Sequence, residues 1–266
     1  MTRPSLRLGI VAGEASGDIL GAAVLRGLAE LGVEVEACGI GGNLMQELGC
    51  ESWFDMERLS VMGLVDPLLR LPELLGIRRA LRERFIAAGV DVFLGIDAPD
   101  FNLGLEYQLR RSGVATAHLV SPSVWAWRRG RMRKIERAVD LMLTLFPFEE
   151  SIYRDHGVAV SCIGHPLADD IALEPDSLAA RQALGIDAEG PVLLVVGVYL
   201  GDRRKGGTLL LDAIGRMRPR PLTILTLGAG SIQIDRPGVQ VHPLGFVDHD
   251  RTKSLAYSAE IGRAHV

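Results

Sequence analysis

Short apolar runs, each ending in small or acidic residues and each followed by a helical stretch, restrict this chain more than any other feature. Leu6 to Ala12 runs into GEASGD, Gly13 to Asp18, and then into an apolar-periodic helix, Ile19 to Leu31. Val33 to Ala37, the turn GIGGN and a helix through Met45 and Leu48 repeat the pattern, and Val92 to Ile96, Val114 to Val120 and Leu141 to Phe146 continue it. A strand that is apolar along its whole length is buried on both faces, so alternating β and α units imply an α/β fold with a parallel, doubly wound sheet. Ligands of such sheets bind outside the carboxyl ends of the strands.

The run VFLGIDAPDFN, Val92 to Asn102, places Asp97 at such an end and Asp100 just beyond a proline. Pro99 fixes its own φ and drives Ala98 away from helical backbone, which holds both carboxylates on a stiff corner. That suits a general base, with Asp97 the first candidate and Asp100 and Glu14 the next, as groups that orient an acceptor. A plainer alternative is that the two aspartates cap the following helix, Leu103 to Arg111. In the first loop, Ser16 or Asp18 can cap the helix that follows, whose N-terminus favours an anionic ligand. Gly13, Gly17 and Gly21 lack dinucleotide-fingerprint spacing and no Gly-Lys-Ser/Thr follows, so neither a Rossmann dinucleotide site nor a P-loop is expected.

With 48% hydrophobic and 23% charged residues over 266 positions and a net charge of -4, the chain suits a soluble globular protein of two domains and gives no global reason to expect nucleic acid. Cys38, Cys50 and Cys162 stand at no metal-ligand spacing and suit reduced thiols in the cytoplasm. Neither an export signal nor a membrane-spanning run is read. Leu59 to Gly76 is unusually apolar and meets an Arg-rich helix, Ile77 to Ala87, which fits either a surface lying on an anionic bilayer or a core helix with a solvated basic face. SPSVWAWRRGRMRKIER crowds Trp125, Arg128 and further cations behind a strand, where guanidinium groups can fork onto phosphate. His165 reads equally as structural or functional. From residue 172 to 190 the composition turns polar, with Ser177 a helix cap, and a second βα series follows at Val192 to Gly197, Thr208 to Met217 and Leu222 to Leu227. Lys205 precedes a helix where it can meet a pyrophosphate, or be a solvated turn.

Taken in order, GEASGDILGA, VMGLVDPL, GIDAPDFN, SPSVWAWRRGRMRKI, LFPFE and GHPLADD, over roughly residues 5 to 185, resemble the lipid-A-disaccharide synthases. The resemblance implies a GT-B glycosyltransferase of two Rossmann-like domains: 1–172 for the acceptor, a linker 173–190, and a partial nucleotide-sugar domain 191–259. It implies inverting transfer of 2,3-diacylglucosamine from UDP to 2,3-diacylglucosamine 1-phosphate (lipid X), with no metal and no cofactor. Ser16, Gly17, Met62, Asn102, Ser121, Trp125, Arg128 and His165 fall in the matching motifs as substrate contacts. The partners implied are UDP-diacylglucosamine, lipid X and an anionic membrane surface, for a cytoplasmic protein peripheral on the inner membrane, without nucleic acid.

The second half departs from that family. VGVYLGDRRKGGTLLLDAIGRM, LGAG and VQVHPLGFVDHDRTKSLAYSA look like a family 4 glycosyltransferase, onto whose phosphate-contacting lysine Lys205 maps. A natural fusion and an assembly chimera joined near 191–198 both give this pattern. The last seven residues, EIGRAHV, match the in-frame reading of a common sequencing adapter and are set aside as a non-native tail. About three strands are expected after residue 172, too few for a full GT-B domain, so this chain is expected to be inactive as it stands. Two other classes compete: a lipid- or sugar-binding module without catalysis, and a nucleotide-dependent oxidoreductase or epimerase.

Overall fold

A computed structural model describes residues 5–59, 70–126, 129–171, 173–186, 190–199, 207–229, 232–245 and 250–259. The chain divides into two compact units, Met1–Pro166 and Leu167–Val266, ahead of the change in composition at residue 172.

The first unit runs β1 (Ser5–Ala12), α1 (Ala15–Glu30), β2 (Glu34–Ile40), α2 (Asn43–Glu47), β3 (Glu51–Ser52), α3 (Leu71–Ala88), β4 (Val92–Ile96), α4 (Pro99–Arg110), β5 (Ala115–Leu119), α5 (Met132–Ala138), β6 (Leu141–Thr144), α6 (Glu150–Asp155) and β7 (Ala159–Cys162). Its strands form one seven-stranded sheet in the order β3-β2-β1-β4-β5-β6-β7, every pair parallel. The chain winds outward from β1 to β3 and then returns to build β4 on β1's other side, so the order reverses between β1 and β4. Register fixes where these strands end: Ala12 pairs with Ile96, and Ile96 with Leu119, so the loops after β1, β4 and β5 leave the sheet at one level.

The expected burial of β4 on both faces follows from its alternation. Leu94 and Ile96 pack with Leu8, Ile10 and Ala12 of β1 and Leu20, Ala22 and Leu25 of α1. Phe93 lies on the other face with Ile77, Leu81 and Phe85 of α3 and Leu105 and Leu109 of α4. Each such side chain contributes about 1.5–3 kcal/mol by leaving water.

Both helices that matter to the site start earlier than the sequence suggests. α1 begins at Ala15 instead of Ile19, and α4 begins at Pro99 instead of Leu103, the latter because proline is tolerated in a first helical turn. Asp18 therefore lies inside α1. Its buried carboxylate accepts from the backbone amides of Gly42 (2.9 Å), Leu44 (3.0 Å) and Met45 (3.1 Å), and so caps α2 instead of its own helix. The residue at the N-cap of α4 is Ala98, which leaves neither Asp97 nor Asp100 in the capping position.

The second unit contains α7 (Leu167–Asp170), α8 (Ser177–Ala183), β8 (Val192–Tyr199), α9 (Gly207–Arg216), β9 (Leu222–Ala229), β10 (Val239–Gly245) and α10 (Asp250–Ala259). Among the described residues its sheet has three parallel strands, in the order β10-β9-β8. Asp176, not Ser177, caps α8, accepting from the Ala179 amide at 2.9 Å. Ala180 and Ile186 share a core with Val192, Leu225 and Ala259, so the segment expected as linker packs into this unit. No helix among the described residues is long and apolar enough to cross a membrane.

Candidate functional site

A cavity of about 420 Å³ opens where the strand order reverses, lined by the loop after β1, the turn after β4 and one side of α3. That volume suits a small-molecule site. Leu59, Leu71, Leu74, Ile96 and Phe101 give it apolar walls, while Glu14, Ser16, Arg78, Asp97 and Asp100 give it polar ones. Gly13 permits the two loops to meet, since a Cβ there would stand 3.0 Å from that of Ala98. Of the residues expected at the site, Glu14, Ser16, Gly17, Asp97 and Asp100 are thus brought together. Asn102, Ser121, Trp125 and His165 do not line this cavity. Met62, Arg128 and Lys205 lie outside the described residues.

The turn carrying Asp97 is strained. Asp97 has φ 49° and Ala98 φ 43°, left-handed backbone that favours glycine, and the other described non-glycine residues with positive φ, Val120 (80°) and Ser123 (47°), follow β5. Such residues cost of the order of 1–3 kcal/mol each and persist where surrounding contacts hold them. Here the Asp97 amide donates to the Leu119 carbonyl at 2.8 Å, and the Phe101 and Asn102 amides both donate to the Ala98 carbonyl at 2.9 Å. Asp97 is half-buried and lines the cavity, and its carboxylate makes no hydrogen bond or ion pair among the described residues, which leaves it open to a ligand there.

Asp100 is placed differently. Its two carboxylate oxygens accept from Arg131 at 2.6 and 2.7 Å, and its carbonyl accepts from Arg78 at 2.9 Å. Arg78 lies over the Phe101 ring, 5.0 Å from its centroid, and burial lowers the guanidinium's pKa while nearby Asp100 opposes that shift. The site thus pairs one engaged carboxylate with one open one. Sequence reasoning placed Arg78 and Arg131 in basic clusters without tying either to Asp100, because their partner lies on a separate helix.

Behind the next strand, Ser121 is buried and its hydroxyl shares a 2.7 Å hydrogen bond with that of Tyr153, whose pKa burial pushes up to about 12. Trp125 is exposed and meets Phe148 edge-on at 5.3 Å, and Phe148 in turn stacks on Phe146. His165 is exposed beyond β7, at the sheet's far edge.

Asn102 is fully buried beneath the cavity floor. On the same face of α4, one turn on, Glu106 meets His118 of β5 at 2.7 Å with neither side chain exposed. Gly95 makes room for both helix residues, since a Cβ there would come within 2.9 Å of Asn102 and clash outright with Glu106. Burial raises the Glu106 carboxyl above its ordinary range, and His118 pulls it back.

The lipid-A-disaccharide synthetase family matches residues 8–218, a span that continues past residue 185 through β8 and α9. The chain is 51% identical over 216 residues to the lipid-A-disaccharide synthase of Hahella chejuensis, covering 81% of this chain and 54% of that protein. It is 48% identical over 259 residues to the synthase of Pseudomonas paraeruginosa, covering 94% of this chain and 68% of that one. The chain spans little more than half the length of most curated relatives it matches. Among solved structures, a glycosyltransferase from Rickettsia africae is similar over 98% of this chain and 72% of its own, with a TM-score of 0.55 at 14% identity, which places the fold among the GT-B type. With the family matched across most of its length and its αβ units of the expected kind, this chain belongs to the lipid-A-disaccharide synthetase family.

Proposed function

We propose that the first unit is the acceptor-binding half of an inverting glycosyltransferase, which transfers 2,3-diacylglucosamine from UDP to 2,3-diacylglucosamine 1-phosphate. The observation that carries this reading is the open Asp97 carboxylate in the cavity at the switch point between β1 and β4. In the reaction an acceptor hydroxyl attacks the anomeric carbon of the donor sugar. The new glycosidic C–O bond forms as the bond to the UDP phosphate breaks, the hydroxyl proton passes to Asp97, and UDP leaves as the anion. Glu14 orients the acceptor from the facing loop, and Asp100, held by Arg131, shapes the rim. Ser16, Gly17, Met62, Asn102, Ser121, Trp125, Arg128 and His165 belong to the acceptor half by motif, and Lys205 to the donor phosphates.

The test is Asp97→Asn in a full-length synthase carrying this unit. Turnover should fall by about 10²- to 10⁴-fold, the usual contribution of a positioned base, while the protein stays folded and still binds the acceptor. Near-normal disaccharide and UDP formation would remove Asp97 from the mechanism.

The same reading places the protein peripherally on an anionic bilayer. Support comes from exposed Leu71, Leu75, Trp125, Phe146 and Phe148 beside the arginines of α3 and the basic segment around α5. Each cation close to such a surface adds roughly 1 kcal/mol, an attraction that salt screens. Sedimentation with vesicles containing anionic lipid should show binding at low salt that weakens as salt rises. Equal recovery with and without vesicles at low salt would count against a membrane partner.

A further inference from the structure

We infer that Asn102 is a positioning residue, whose side-chain amide locks the left-handed turn that aims Asp97 and ties that turn to β1, the strand that leads into the loop of Glu14. This rests on the reading of Asp97 as the general base, and it gives Asn102 a different task from contacting substrate. The amide nitrogen donates to the carbonyls of Asp97 (2.9 Å), Ile96 (3.2 Å) and, across the sheet, Val11 (3.4 Å). Val11 and Ile96 sit at the carboxyl ends of β1 and β4, the two strands between which the order reverses. One side chain therefore stitches together the carboxyl ends whose loops supply Glu14 and Asp97. It does so from complete burial, below the cavity and not on its wall, so it acts on the reacting atoms only through Asp97.

The need for such a lock is local. Asp97 and Ala98 occupy left-handed backbone, and the side-chain amide holds the carbonyl of the peptide that joins them, so the chain would relax to extended or helical φ if that carbonyl were released. A relaxed turn swings the carboxylate away from the acceptor hydroxyl, and a misplacement of about 1 Å can cost on the order of 10² in rate. Gly95 serves the same end, since only a strand position without a side chain leaves space for Asn102 under the turn.

Two measurements decide the inference. In the 266-residue chain, the Cα and Cβ chemical shifts of Asp97 and the Cα shift of residue 98, each taken against the random-coil value of its residue type, are recorded for the wild type, Asn102→Ala and Asn102→Ala/Ala98→Gly. Left-handed shifts are expected in the wild type, their loss in the single variant with the rest of the first sheet unchanged, and recovery at residues 97 and 98 in the double variant, because glycine accepts positive φ freely. In a full-length synthase carrying this unit, Asn102→Ala should lower kcat by about 10- to 100-fold with acceptor KM within about threefold, and Ala98→Gly should return part of the loss. Unchanged shifts in Asn102→Ala would overturn the inference, as would a raised acceptor KM with kcat kept, which would make Asn102 a substrate contact. Should Asn102→Ala not fold, Asn102→Ser, which keeps one donor, takes its place. If neither folds and Ala98→Gly rescues neither, Asn102 is a core residue alone and the inference fails. A wild-type synthase that made no disaccharide would sink the proposed reaction, whereas the shifts would still decide the role of Asn102.

Discussion

A single carboxylate, Asp18, sets the entry to α2. Three backbone amides of that helix's first turn converge on it in a buried setting, so removing the side chain leaves them without an acceptor. Asp18→Ala should destabilise the first unit by about 2–3 kcal/mol, above an ordinary exposed cap because the amides are buried. Asp18→Asn, which keeps one acceptor oxygen, should cost less. Urea unfolding of the three proteins measures this, and equal midpoints would show that water serves the helix end as well. The sequence marked Asp18 as a cap because it stands in a small-residue loop before an apolar helix. Which helix it caps was not legible, since Gly42 reaches it only through the β1–α1–β2 fold. The thiols give a second test at this scale. Burial pushes Cys38 up to about 11 and Cys50 up to about 12, so both should resist iodoacetamide at pH 7.5 in the folded protein and react after unfolding, as thiolate is the attacking form. Rapid native alkylation at Cys50, read by mass spectrometry, would contradict that burial.

α4 does the most for the site of any single element. Its first turn begins the corner that presents Asp97, its inner face holds Asn102 and Glu106 over Gly95, and Phe101 lines the apolar side of the cavity while Leu105 packs in the core. The helix was legible from sequence from Leu103 onward, but its first turn was not, because Pro99 read as a stiff corner ahead of it. Its polar inner face was not, because burying Glu106 depends on His118, which arrives on the neighbouring strand. That pair predicts a pH dependence. The folded state raises the Glu106 pKa, so the folded protein holds this proton more tightly than the unfolded chain does. The stability so contributed is fully present below the unfolded carboxyl pKa of about 4.3 and is lost as pH rises through the raised folded value. Glu106→Gln removes that contribution, so wild type should lose unfolding free energy relative to the variant as pH rises from 4 upward. Guanidinium unfolding at several pH values checks it; a difference between the two proteins that stays flat or grows with pH would mean that the buried pair titrates in the opposite sense.

At the scale of the whole molecule, the alternation of apolar runs and helices was enough to give parallel sheets, because each run had to be buried on both faces. That the carboxyl end of β4 would carry the site was also expected, but the reversal of strand order between β1 and β4 was not legible, since β4 could equally have extended the sheet beyond β3. What alternation left open was where one unit stops. Polar composition after residue 172 suggested a linker, yet α8 buries Ala180 against Leu225 and Ala259, and that packing assigns the segment to the second unit. The first unit keeps its seven strands, three apolar clusters and every residue lining the cavity within its own boundary at Pro166. A piece of that size with its own core is expected to fold alone. Residues 1–166 should therefore unfold in one cooperative transition and retain the left-handed shifts at Asp97 and Ala98 seen in the longer chain. Aggregation, or a broad transition with the shifts at residues 97 and 98 lost, would show that the site depends on residues after Pro166, and the first unit could then no longer be treated as folding in its own right.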